Sequence, residues 1–150
     1  MAGKSDKFEF DLLKLIFNAV AITNVGATAG TTSWWVALNS ADPTDAGSTA
    51  AEGGYNAYTR VKTDRSTAAS TGWAVSSGTG AANATASPVT ALSFPQCTGD
   101  TTGTFTHFSV YPTSNAQASS AVYIGTLSPN INWGSGVTPQ VTTASSITED

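Results

Sequence analysis

Hydrophobic and polar positions change period once along this chain. From Asp6 to about Val20 the apolar residues recur at helical spacing. Phe8, Leu12, Leu15 and Ile16 form one stripe, and Phe10, Leu13 and Phe17 form a second beside it. Lys7, Asp11, Lys14 and Asn18 make the polar stripe, and Asp6 followed by Glu9 reads as a capping-box variant with Asp6 at the N-cap. After the polar connector "NVGATAGTTS" the pattern becomes one of short strands between turns. Strands are predicted at 34–38 (WWVAL), 55–62 (YNAYTRVK), 72–76, 89–95 up to Pro95, 104–112 (TFTHFSVYP) and 121–127, with "QVTTASSIT" as a closing Thr-rich strand. In the 55–62 segment Ala57, Thr59 and Val61 face one way and Tyr58, Arg60 and Lys62 the other. In the 104–112 segment Phe105, His107, Ser109 and Tyr111 share one face, and Thr106, Phe108 and Val110 the other. The stretches 39–54, "SSGTGAANATASP" and "SPNINWGSGVTP" read as loops and turns.

These elements predict a mainly β protein: an antiparallel β-sandwich or jelly roll of about eight strands, preceded by one N-terminal α-helix. Residues 1–30 would hold the helix and connector and 31–150 the sandwich, as one domain overall. A helix with two apolar stripes has more than a small sandwich needs to cover one edge. It is either a lid on its own domain or a lid that also docks on another chain. The stripe Phe8, Leu12, Leu15, Ile16 is assigned to the domain's own core and Phe10, Leu13, Phe17 to a partner chain. The stripes are similar in size, so the assignment is reversible. The candidate interface is therefore Phe8, Phe10, Leu13, Leu15, Ile16 and Phe17.

Charge narrows the classes. Charged residues make up 11% of the chain, against about 25% in ordinary domains. Between Ser66 and Thr148 the only formal charge is Asp100, so that stretch stays soluble through hydroxyls, amides and backbone. The net charge is −4 and the six basic residues form no cluster, which argues against a nucleic-acid partner. No apolar run reaches the length of about 18 residues that a membrane span needs. A signal peptide is not expected either: Lys14 and Asn18 interrupt the apolar run, and Asp6, Glu9 and Asp11 stand where positive charge belongs.

Candidate chemistry is sparse. His107 is the only histidine, no G-x-S-x-G elbow exists, and Asp100 is its nearest acid in sequence, so a strand-face histidine is the expected role. Asp42 and Asp45, in "ADPTDAG", lack the spacing of a calcium loop and read as a turn. Cys97 is the only cysteine, which excludes an internal disulfide, and with His107 it offers too few ligands for zinc. No glycine pattern suits a phosphate. Trp34, Trp35, Trp73, Trp133, Tyr55, Tyr58, Tyr111 and Tyr123 are suited to stacking on sugars, yet in so small a β domain such residues more often build the core. The expectation is a non-enzymatic protein with no catalytic, cofactor or metal site.

The order of motifs resembles a widespread family of small virion structural proteins of tailed bacteriophages, tail-fibre-like by description. The helix "KFEFDLLKLIFNA" precedes "WWVALNSADPTDAG", where the family also runs from a strand into an Ala-Asp-Pro loop. "GGYNAYTRV" follows, then an "FP" leading to "GTFTHFSVY", where the family often has Gly-Thr-Val-Thr-His-Phe-Gly. "YIGTLSPNINWGSGVTPQVTTASSITED" resembles the family's closing hairpin, while "QCTGD" departs from an Ala/Gly-rich segment. The resemblance spans nearly the whole chain and implies a β-sandwich in a virion, assembled in the host cytoplasm. A compact sandwich with one apolar helix suits a capsid cement or decoration protein that stabilises the head shell. A fibre would more often show repeats or coiled-coil segments. The alternatives are a tail- or fibre-associated virion protein and a secreted carbohydrate-binding β module. Expected partners are the major capsid protein or a tail protein, and further copies of this chain as a dimer or trimer.

Overall fold

The structure is a computed structural model that describes residues 3–4, 8, 33–44, 46–65, 70–76, 84–99, 101–114 and 121–149. Two hairpins build its main sheet. Strands β2 (Ser33–Asn39) and β3 (Val61–Asp64) form one. Strands β7 (Gly103–Tyr111) and β8 (Tyr123–Trp133) form the other. They join through β2 and β7, in register from Trp35 opposite Tyr111 to Asn39 opposite His107. Strand β1 (Gly3–Lys4) adds to β8 and gives a five-stranded sheet of order β1-β8-β7-β2-β3. A three-stranded sheet of order β10-β5-β4 contains β4 (Trp73–Ser76), β5 (Ala84–Pro88) and β10 (Ile147–Glu149). Strands β6 (Leu92–Ser93) and β9 (Gln140–Val141) make a small third pair. All described pairings are antiparallel.

The mainly β, antiparallel expectation is met. The jelly-roll form is not seen among the described residues: β3-β2-β7-β8 is two hairpins set side by side, whereas a Greek key returns its fourth strand beside the first. The N-terminal helix lies outside the described residues except for Phe8.

Strand β2 explains why "WWVAL" is so apolar. It lies inside the sheet and both of its faces are covered, so Val36, Ala37, Leu38 and Asn39 are all buried. Val36 and Leu38 join Phe105, Leu127, Leu92, Phe94, Cys97, Val141, Tyr55 and Trp133 in the main core. Ala37, Tyr111, Ala121 and Ile124 form a second apolar cluster on the other face. In the main core five rings interlock: Tyr55 lies 5.6 Å from Tyr58 and 5.5 Å from Trp133, and Tyr58 stacks on Phe94 at 6.0 Å. Phe105 touches Tyr55, Tyr58 and Trp133. Edge-to-face and offset contacts of this kind add about 0.5–1.5 kcal/mol per pair beyond burial.

The strict alternation read along β7 fails at one point. The register jumps between Phe105, opposite Ile131, and His107, opposite Thr126. The irregularity shifts the phase, so Phe105 enters the main core beside Val36 and Leu38 while His107, Ser109 and Tyr111 keep their shared face. The same irregularity lets β8 run on through "SPNINW", which reads as a turn. Three other boundaries differ. Residues 55–57 form a turn, 58–60 are irregular, and β3 starts only at Val61. "SSGTGAANATASP" contains β5, and "QVTTASSIT" divides into β9 and β10 in separate sheets.

Candidate functional site

His107 stands near the surface of β7. Its Nδ1 lies 2.8 Å from the Thr106 hydroxyl and its Nε2 lies 3.9 Å from Asp42 Oδ2. The carboxylate is too distant to hydrogen-bond the ring and orient it as a base, and Asp42 is 63% exposed. Asp42 Oδ1 instead accepts the Thr44 N–H at 2.9 Å, an Asx turn that starts the loop after β2. Pro43 is buried beneath that turn. Asp45 lies outside the described residues. Cys97 is a free thiol packed in the main core. Among the described residues no three His, Cys, Asp or Glu side chains converge as metal ligands, and no helix is long and apolar enough to cross a membrane.

The strongest polar constellation is one that the sequence reading passed over. Arg60 donates through Nε and through one terminal nitrogen to the two oxygens of Glu52, each at 2.7 Å. The side chains are 3% and 7% exposed. Its other terminal nitrogen donates to the Thr113 carbonyl at 3.2 Å, and its guanidinium carbon lies 3.5 Å from the centre of the Tyr111 ring. The backbone supports this clasp: Gly53 N–H donates to Leu38 O, and Asn39 bridges to Glu52. Nearby, Asn39 Nδ2 donates to Ser109 Oγ at 2.8 Å, whereas Asn39 Oδ1 is buried without a partner. Burial raises the Tyr111 phenol above its ordinary value, and Arg60 partly opposes that shift. The clasp ties the loops after β2 and β7 together. It is a structural device, since both charges are satisfied and enclosed.

The glycines of "GGY" have a steric reason. Gly53 has φ of +76°, and a Cβ there would lie 2.8 Å from the Tyr58 ring. The Tyr58 hydroxyl in turn accepts the Leu38 N–H at 2.8 Å. Burial, the largest cause, pushes the Tyr58 phenol far above its ordinary range, and it raises Tyr55 as well.

The aromatic residues divide by role. Tyr55, Tyr58 and Trp133 belong to the main core and Tyr111 to the second, with Trp35 packed against it. Trp34, Trp73 and Tyr123 instead remain half-buried around a cleft of about 530 Å³ between the two larger sheets. Register explains the opening. On the smaller sheet Val75, Ala86 and Ile147 lie in one cross-strand row, and on the larger sheet Val110 and Tyr123 lie in another. All five line the cleft, with the small side chain of Ala86 at the centre of its row. Trp73 is fixed by its indole N–H, which donates to Thr63 Oγ1 at 2.8 Å across the sheets. The Arg65 guanidinium stands 4.9 Å over the Trp34 ring. A second cleft, of about 260 Å³, shares Trp73 and Ile147.

Of the six candidate interface residues, only Phe8 is described, and its ring lies 6.2 Å from Tyr123. Phe10, Leu13, Leu15, Ile16 and Phe17 lie outside the described residues. A family model described as "Podophage GP4 fiber I protein gp80" matches residues 3–148. No curated protein matches the chain.

Proposed function

The chain belongs to the podophage GP4 fiber I protein gp80 family, and from that premise we propose that it is a non-enzymatic structural protein mounted on the phage tail or its fibres. It is a phage virion protein of a fibre-like family; the position within the particle is the further step. The observation that carries this step is the match over residues 3–148, which runs from β1 into β10 and leaves out only the last residue of that strand. The capsid-cement reading rests only on the suitability of a compact sandwich for clamping a shell. The family description favours the tail, so that reading takes second place. A non-enzymatic role is supported by the one histidine, whose nearest carboxylate among the described residues, Asp42, is too far to orient it. Its partners are then other virion proteins, with further copies of this chain among them.

The test is location. Purified virions are dissociated into heads and tails, and each fraction is probed with an antibody to this chain. The expected result is signal on tails alone, at sites that immunogold labelling places on the tail or its appendages. Signal confined to heads would restore the cement reading. Secretion of a shortened chain from infected cells, seen by intact mass, would support the carbohydrate-binding module.

A further inference from the structure

The second cleft, of about 260 Å³, lies where the three sheets meet. The five-stranded sheet contributes Val36, Phe108 and Leu127 to it. The three-stranded sheet contributes the cross-strand pair Trp73 and Pro88, and the small third sheet the cross-strand pair Leu92 and Val141. Together they make an apolar floor that holds two aromatic rings. The rim has another character. Thr126, Ser128 and Ser146 are exposed there, and Ser145 is half-buried beside them. Both Ser145 and Ser146 belong to the segment joining β9 to β10, which the Ser145 N–H bond to the Thr142 carbonyl, at 3.0 Å, holds as a turn. Among the described residues that line this cleft none is charged. All of them except Val36 come from the stretch between Ser66 and Thr148, where Asp100 is the only formal charge.

We propose that this cleft binds one ring of a neutral saccharide, with the C–H face of the pyranose on Trp73 and Phe108 and its hydroxyls paired with Thr126, Ser128, Ser145 and Ser146. The volume lies just below the range of about 300–1,000 Å³ typical of small-ligand sites, which suits a single ring. The electron-rich face of an aromatic ring attracts the slightly positive C–H face of a sugar. The Nε1–H bond to Thr63 fixes the Trp73 ring before any ligand arrives, so little freedom is lost on binding. Other occupants fit less well. An apolar side chain would suit the floor but would strip water from the rim hydroxyls and return no hydrogen bond, a penalty for every group so covered. A charged ligand would give up its hydration and find no opposite charge among the described lining residues. A neutral pyranose answers both the floor and the rim. The inference goes beyond the mounting of the chain on the particle and does not depend on it.

The purified chain is titrated with methyl glycosides of neutral hexoses and N-acetylhexosamines, with a uronic acid, and with a leucine-rich peptide. Binding is read from NMR shifts of the protein and from saturation transfer to the sugar. The expected result is saturable binding of at least one neutral sugar, with transfer strongest to the C–H protons of one face. Ala144→Trp, at an exposed position on the rim, should fill the mouth and abolish that binding. Ser128→Ala together with Ser146→Ala should weaken it about tenfold, as expected for the loss of two hydrogen bonds. Val75→Asp, in the larger neighbouring cleft, should leave it unchanged. Circular dichroism checks that each variant is folded, and if Ala144→Trp is not, the serine pair carries the test. Absence of binding by every neutral sugar, equal binding of the uronic acid, or indifference to the two serines would overturn the proposal. So would saturable binding of the peptide in the sugar's place, or loss of sugar binding in Val75→Asp.

Discussion

Replacing Glu52 with Ala removes one half of an enclosed ion pair and leaves Arg60 charged among protein atoms. The side chains are 3% and 7% exposed, so water cannot replace the lost carboxylate without opening the fold. Removing one partner of such a pair costs about 3–5 kcal/mol. In a chain of 150 residues that corresponds to a fall in Tm of roughly 6–20 °C, at about 2–4 °C per kcal/mol. It is a large part of the roughly 5–15 kcal/mol that stabilises a typical domain. Replacing both residues together, Glu52→Leu with Arg60→Met, removes the stranded charge as well. The double variant should therefore be far less impaired than the sum of the single changes. It will still lose the contacts to the Thr113 carbonyl and the Tyr111 ring, the latter worth up to about 2 kcal/mol. Urea denaturation of the four proteins, analysed as a double-mutant cycle, gives the coupling directly. A Glu52→Ala cost below about 1 kcal/mol, the scale of exposed pairs, would refute the claim that this pair is sealed from solvent.

Gly103→Ala should destabilise by about 1–3 kcal/mol, read by the same denaturation, because a Cβ there would lie 2.6 Å from the buried Trp133 ring. Above pH 10 the protein should lose stability: burial raises the phenols of Tyr55, Tyr58 and Tyr111 above 10.0, so the unfolded chain releases these protons first and gains from doing so as pH rises. Absorbance at the phenolate band should show these residues titrating together with unfolding, and ordinary titration of all four tyrosines in the folded protein would contradict the burial. Substituting Phe10, Leu13 and Phe17 together by Ser should leave a folded β domain by circular dichroism and abolish incorporation into particles; wild-type occupancy would make the segment a mere lid. His107→Ala should leave incorporation and infectivity unchanged, and their loss with the fold intact would reopen the question of catalysis.

The fold's legibility followed the physics of each segment. "WWVAL" and "TFTHFSVY" were plain because β-branched and aromatic residues crowd there, and both became long, paired strands. The phase break at Phe105 was hidden, because a bulge is set by where the partner strand falls and not by local alternation. Pro129 made β8 look shorter than it is, since a proline normally ends or edges a strand. Strand β5 is spelled mostly in Ala, Thr and Ser and carries almost no apolar signal. Arg60 read only as sharing a strand face with Tyr58 and Lys62; tertiary folding brings Glu52 onto it. The partition of the aromatics could not be read from spacing either. Trp34 shares its cleft with Ala86 of another sheet, a neighbour that local spacing does not reveal.

The enclosure of Arg60 and Glu52 also bears on life outside a cell. Electrolyte weakens attractions between charges that ions can approach, and it barely reaches those within protein. A clasp 3% and 7% exposed should hold equally in fresh water and in brine. The stretch from Ser66 to Thr148, with Asp100 as its single formal charge, gives salt little else to act on. A particle part built this way would keep this contact through dilution and through rising salt, both of which a virion meets between one host and the next.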